Sequence, residues 1–221
     1  MAPALLGCIL EHETAEGLVA VELTEVEAYA GEIDPASHAY RGKAGRNAVM
    51  YGPPGHAYVY FTYGMYFCVN VVCMPEGSAS AVLLRAGRVI AGESLARDRR
   101  IPRRSQTAAS GGTSIRSVIP ARDLARGPAR LCQALAINRI QNGADLCDPI
   151  SHLRLRRSDS DVGGDSSAEI AVGPRVGVTA AADTAWRFWR AGDPTVSVYR
   201  PHKARATRPT NHAETNQVWV G

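Results

Sequence analysis

Two glutamates, Glu25 and Glu27, close a valine-rich alternating segment, and Tyr29 follows one step further on. At a period of two, Val21, Leu23, Glu25, Glu27 and Tyr29 share one face of a strand predicted over 18–30. An apolar face ending in two carboxylates puts them at the rim of a core. A carboxylate held there can act as general base on a water; equally, the strand end can simply emerge into solvent. The segment 81–85 repeats the anomaly, because Arg85 shares a face with Ala81 and Leu83. Asn70 likewise shares one with Cys68 and Val72. A buried guanidinium requires an anion, and Glu25 or Glu27 is the supply. A structural ion pair and a shared polar pocket both fit this pattern. His38 lies in the loop after the carboxylates, which raises a metal set of Glu25, Glu27 and His38. The chain has no H-x-x-x-H, no H-E-x-x-H and no aspartate cluster nearby, so neither metal nor cofactor is expected.

The chain has eight tyrosines, and four of them (Tyr58, Tyr60, Tyr63 and Tyr66) fall within 58–70. Tyrosine combines a stacking face with a polar tip and suits a wet site for a flat ligand. Nucleobases are such ligands, and each stacked base contributes roughly 1–3 kcal/mol. Tyr63-Gly64 reads as the turn between two aromatic strands, where a tyrosine can wedge into a base stack or stand merely exposed. Arg41, Lys43 and Arg46 cluster in one loop, and Arg97, Arg99, Arg100, Arg103 and Arg104 near another. Either cluster can contact phosphates or be a solvated face.

Positioning these groups falls to a mixed set of elements. Strands are predicted over 18–30, 58–61, 66–73, 79–86, 175–178 and 186–189. The stretch 31–55 reads as a long basic loop, and 87–100 as an amphipathic helix that becomes arginine-rich. Gly127-Pro128 starts a helix running to 137, since proline in the first turn loses no needed N–H. The stretches 101–114 and 156–173 read as polar loops, the first of them mobile. Strands with interspersed helices rather than regular alternation favour α+β. Residues 1–200 form one domain in this reading, and 201–221 a polar, disordered basic tail.

Composition narrows the classes. A chain of 221 residues holds one sizeable core, and a formal charge of +4 permits a polyanionic partner without requiring one. Five cysteines without any C-x-x-C argue against a disulfide framework or a zinc cluster. No apolar run reaches membrane-spanning length, and no basic region precedes the short N-terminal apolar stretch. Cytoplasmic residence is the expectation, with access to a bacterial-type nucleoid.

The motifs together carry a resemblance. Glu25-Val-Glu27-Ala-Tyr29, then His38, then 55–70 ending in Tyr63-Gly-Met-Tyr-Phe-Cys-Val-Asn70, then Leu83-Leu-Arg85-Ala86, then Gly127-Pro-Ala-Arg-Leu-Cys-Gln-Ala-Leu-Ala-Ile-Asn138, then Arg175-Val-Gly-Val178, resemble the alkyladenine (methylpurine, 3-methyladenine) DNA glycosylases in order over 4–199. The resemblance implies a single α+β domain whose curved antiparallel sheet is surrounded by helices. It implies a monofunctional enzyme that flips alkylated or deaminated purines out of duplex DNA and hydrolyses the N-glycosidic bond, initiating base excision repair. By motif position, Glu27 is the general base, and Arg85 and the Val176 carbonyl help hold the water. Tyr29, Ala36, His38, Tyr60 and Asn70 surround the flipped base, with Asn70 disfavouring guanine. Tyr63 fills the gap in the duplex, while Arg41, Lys43, Arg46, Met65, Tyr66 and Arg130 are expected along the DNA backbone. The expected partner is duplex DNA containing a damaged purine, met by a monomer away from any membrane. The only lysines are Lys43 and Lys203, which favours water over an amine as nucleophile.

Overall fold

A computed structural model describes residues 1–62, 64–101, 119–158 and 169–201. The polar loop predicted over 101–114 falls outside them from residue 102 on, as does the tail beyond residue 201. Among the described residues, eight strands form one antiparallel sheet: β1 (Ile9–Thr14), β2 (Gly17–Tyr29), β3 (Ala57–Thr62), β4 (Tyr66–Val72), β5 (Ala81–Ala91), β6 (Leu153–Arg156), β7 (Ile170–Gly173) and β8 (Arg187–Arg190). Their order is β3-β4-β5-β2-β1-β6, with β8 joined to β2 and β7 to β8. β2 is the longest strand and changes neighbour along one edge. Residues 17–22 pair with β1, whereas Glu25, Val26 and Glu27 pair with β8.

That change of neighbour coincides with two bulges. Leu23 pairs with Gly87 and Glu25 with Ala86, so Thr24 is extra on β2. Glu25 then pairs with Ala86 and Val26 with Leu84, so Arg85 is extra on β5. Bulges bend a strand and increase its twist, which curls the sheet. They also shift the side-chain phase. Val19, Val21 and Leu23 enter the core, but past the bulge it is Val26 that enters, with Ala28 packed against it. The expectation that Glu25, Glu27 and Tyr29 continue the face of Val21 and Leu23 is therefore corrected. They lie on the opposite face, because one inserted residue reverses a period of two.

The apolar face of the curled sheet carries Ala57, Val59, Val69, Val71, Val82 and Leu84, packed with Leu131, Cys132, Ala134, Leu135 and Ile137. The helix α2 (Pro128–Ala134) covers this face beside α1 (Glu93–Arg100). α2 starts at the predicted proline but ends three residues before the predicted end, where Ala136 turns to φ 54°. The segment 87–91 is strand rather than helix. Gly87, Arg88, Val89 and Ala91 each pair with β2, and tertiary pairing outweighs their helical pattern. Helix begins only after Gly92, whose φ is +73° and where a Cβ would stand 2.1 Å from the Leu18 carbonyl oxygen.

Three strands have no counterpart in the sequence reading: β1, β6 and β7, the last inside the predicted 156–173 loop. The long 31–55 loop contains 3-10 turns at Gly31–Ile33 and Gly45–Tyr51. Residues 175–178 are not a strand, and Gly177 has φ +72°. No helix among the described residues is long and apolar enough to cross a membrane.

Candidate active site

The face of the sheet opposite α1 and α2 lines a cavity of about 360 Å³, within the range of small-molecule sites. Tyr58, Tyr60 and Thr62 of β3, Cys68 and Asn70 of β4, Ala81, Leu83 and Arg85 of β5 and Tyr29 of β2 form one wall. The strand alternation that sends Val59, Val69, Val71 and Val82 into the core sends these residues into the cavity. Ala36 and His38 of the 31–38 loop and Val176 to Thr179 face them. The loop leaves β2 through Gly31, at φ +66°, where a Cβ would come within 2.0 Å of the Ala79 carbonyl oxygen.

The two glutamates have different surroundings, although both are fully buried. Glu25 is saturated. Its Oε1 accepts from Arg85 Nε at 2.8 Å, Arg187 Nε at 2.7 Å and Ser197 Oγ at 2.8 Å, and its Oε2 from the Ser197 N–H at 2.7 Å. Burial opposes its charge, but Arg85, Arg187 and the Ser197 N–H outweigh burial and hold its pKa below the ordinary range. Glu27 lies behind the wall formed by Tyr29, Arg85 and Val176. Its Oε1 accepts the Val176 N–H at 2.7 Å and lies 3.2 Å from Arg85 Nη1. Its Oε2 accepts the Tyr29 hydroxyl at 2.9 Å. Burial, reinforced by the Glu27 charge, raises the Tyr29 pKa strongly, so the phenol remains a donor. Val176 thus turns its N–H to Glu27, which explains why its segment forms no ladder.

The aromatic wall is ordered by polar contacts. The His38 ring meets Tyr60 edge-on at 4.6 Å between centroids, and Tyr58 and Tyr60 stack at 5.6 Å. His38 Nδ1 and the Tyr58 hydroxyl are 2.9 Å apart. His38 is exposed at the rim, yet the protein around its inner edge and the nearby Arg46 charge lower its pKa, so the ring is neutral at pH 7. Burial pushes Tyr58 up to about 12 and Tyr60 higher still. The Asn70 amide donates to the Tyr58 carbonyl at 3.0 Å, which fixes its orientation. The Ala36 N–H is committed to Asp34 at 3.0 Å and the His38 carbonyl to the Asn47 amide at 2.9 Å.

The structure brings together Glu27, Arg85, Val176, Tyr29, Ala36, His38, Tyr60 and Asn70, and it places the other described candidates outside the cavity lining. Arg41, Lys43 and Arg46 are exposed on the 31–52 loop. Met65 is exposed and Tyr66 half-buried at the β3–β4 hairpin, whose last pair is Thr62 with Tyr66. Tyr63 lies outside the described residues. Arg130 is exposed on α2, its nearest carboxylate being Asp123 at 4.0 Å. Of the second arginine cluster, Arg103 and Arg104 lie outside the described residues, and the described members are used internally. Arg99 bonds Thr14, Glu16 and the Ala134 carbonyl, and Arg100 bonds the Leu124 carbonyl. Among the described residues no three His, Cys, Asp or Glu side chains are grouped to hold a metal ion.

Sequence reasoning missed four residues. Arg187 and Ser197 hold Glu25 from more than 160 positions away, and no local pattern announces that contact. Asp34 and Arg175 pair at full burial between the two loops that face the sheet. Arg175 did stand in a quoted motif, and Asp34-Pro35 is a turn signal, but nothing linked them.

Comparison with known proteins identifies a family. The family described as methylpurine-DNA glycosylase matches residues 1–194. A protein of Streptomyces avermitilis is 48% identical over 209 residues, covering 94% of this chain and 90% of its own. One from Leifsonia xyli subsp. xyli is 50% identical over 208 residues, covering 92% and 89%. One from Mycobacterium tuberculosis is 44% identical over 204 residues, covering 90% and 88%. All three carry the provisional name of 3-methyladenine DNA glycosylase.

Proposed function

This chain belongs to the methylpurine-DNA glycosylase family, and on that premise we propose how its cavity performs the excision. The protein is a 3-methyladenine DNA glycosylase, a DNA N-glycosylase that removes alkylated purines at the start of base excision repair. The observation that carries the mechanism is Glu27. It is a fully buried carboxylate fixed by the Val176 N–H and the Tyr29 hydroxyl, directly behind the wall of an aromatic cavity.

In the proposed reaction, Tyr29, His38 and Tyr60 receive the flipped purine. An N3- or N7-alkylated purine is cationic, so aromatic faces attract it. A neutral His38 avoids placing a like charge at the rim. Such a base is already a good leaving group. The protein therefore supplies position and electrostatics. Water attacks the sugar carbon as the C–N bond breaks, its proton passes to Glu27, and the bonding electrons leave with the base. The Glu27 carboxylate also stabilises positive charge developing on the sugar. Arg85 and the Val176 carbonyl help hold the water. The loop backbone around Ala36 and His38 reads the base edge through groups other than the Ala36 N–H and the His38 carbonyl. Asn70, its amide oriented by the Tyr58 carbonyl, crowds the exocyclic amine of guanine.

Lys43 lies on the exposed loop, its Nζ 5.7 Å from the Tyr51 ring centroid and outside the cavity lining, which supports water over this amine as nucleophile. The proposal extends to deaminated purines such as hypoxanthine. It places Tyr63 in the duplex and Arg41, Lys43, Arg46, Met65, Tyr66 and Arg130 along its backbone. Residues 1–200 act as one glycosylase domain, as a monomer in the cytoplasm with access to the nucleoid. The test is incubation with duplexes carrying methylated purines or hypoxanthine, followed by assay of abasic sites. Abasic product that persists in chelator is expected, and absence of product from every duplex would overturn the reading.

A further inference from the structure

We infer that the buried Asp34–Arg175 ion pair is a positioning couple, which ties the loop presenting Ala36 and His38 to the loop aiming Val176 at Glu27. One contact thereby shapes the base cavity and orients the general base. The inference rests on the glycosylase reading above.

Arg175 and Asp34 are 1% exposed each and join as a fork, Nη1 to Oδ2 at 2.5 Å and Nη2 to Oδ1 at 2.9 Å. Each partner also grips backbone. Asp34 accepts the N–H groups of Ala30 at 3.3 Å and Ala36 at 3.0 Å, which curls the loop back on the end of β2. Arg175 Nη1 donates to the Ala28 carbonyl at 3.1 Å, between Glu27 and Tyr29. Its guanidinium also lies over the Tyr29 ring at 4.7 Å and the Trp186 ring at 5.1 Å. The next residue, Val176, donates its N–H to Glu27 at 2.7 Å.

The chemistry favours positioning over stability. A buried ion pair recovers little more than the desolvation of its two charges, so burial at this depth is a poor way to stabilise a fold. The bidentate fork, however, fixes both distance and plane between two loops. Arg175 is rigid because four contacts share one guanidinium. Val176, joined to it by a single peptide link, inherits that rigidity. Burial opposes the Asp34 charge, but Arg175 and the Ala36 and Ala30 N–H groups hold its pKa below the ordinary range, so the pair stays ionised.

The experiment uses the full chain as wild type, Asp34→Asn, Arg175→Lys and the double variant Asp34→Asn/Arg175→Met, on one duplex containing a methylated purine. Single-turnover base release, affinity for that duplex and melting temperature are measured, with the kinetics well below each melting point. Asp34→Asn preserves shape and loses the charge. Arg175→Lys keeps a cation near Tyr29 but cannot fork, and it carries the same readout should Asp34→Asn fail to fold. Base release is expected to fall roughly 10–100-fold in the folded variants, as for a catalytic group displaced by about an ångström. Affinity, which the hairpin and basic loop dominate, should change far less. The double variant should be no slower than the slower single variant, because both break one unit. Wild-type rates in the folded variants, or a loss that vanishes on cooling with the unfolded fraction, would overturn the couple. No release by the wild type would overturn the glycosylase reading and the couple with it.

Discussion

At the scale of residues, two glutamates of equal burial have different partners. Glu25 meets two guanidiniums and both polar groups of Ser197. Glu27 meets one guanidinium, one N–H and one phenol, at the cavity wall. Glu27→Gln should therefore leave the fold and lesion-duplex binding intact. Single-turnover base release should drop about 10²–10⁴-fold, the usual contribution of a positioned general base. Base release at the wild-type rate would remove Glu27 from the mechanism. Both carboxylates and the need for an arginine partner were legible in the residue types. The choice between the glutamates was not legible in spacing and came only with the family resemblance. Its geometric basis depends on Arg187, Ser197 and Val176, which reach β2 from the far end of the chain.

At the scale of elements, the paired bulges of β2 and β5 decide which side chains see the cavity. Thr24 and Arg85 are the inserted residues, and the phase change they produce moves Glu25, Glu27 and Tyr29 off the face of Val21 and Leu23. The Glu25 cluster locks this joint, since Arg85 comes from β5, Arg187 from β8 and Ser197 from the segment after it. Glu25→Ala should then leave two buried guanidiniums competing for the remaining anion, at a cost of roughly 3–5 kcal/mol. Urea unfolding checks this, and the loss should exceed that of Glu27→Gln. The strands 58–61, 66–73 and 79–86 were readable because alternation survives along them. The bulges were not readable, since a bulge is a relation between two strands. The same reason made 87–91 look helical, because its pairing with β2 is invisible locally.

At the scale of the whole molecule, charge is distributed in a way that suits a backbone partner. Arg41, Lys43 and Arg46 stand exposed on the loop that also carries His38, a residue of the cavity lining. The arginines of α1 are tied to their own fold. Affinity for a lesion duplex should fall linearly with salt on logarithmic axes, and Lys43→Gln should reduce that slope by about one. Arg99→Gln should leave the slope unchanged while lowering stability, because its guanidinium bonds Thr14, Glu16 and the Ala134 carbonyl. Equal slopes for wild type and Lys43→Gln would take the 31–52 loop off the DNA.

By itself the sequence determined the chemistry available: a carboxylate pair, a buried cation, a band of tyrosines and motifs in an order shared with one glycosylase family. Those features are local, written in residue type and short spacing. Only the tertiary structure decided which partners hold each carboxylate, which arginines are structural and which loops are bound together. Those outcomes depend on contacts between residues more than a hundred positions apart, such as Asp34 with Arg175 and Glu25 with Arg187. No periodicity records such contacts, because the chain brings those residues together only once the curled sheet has formed.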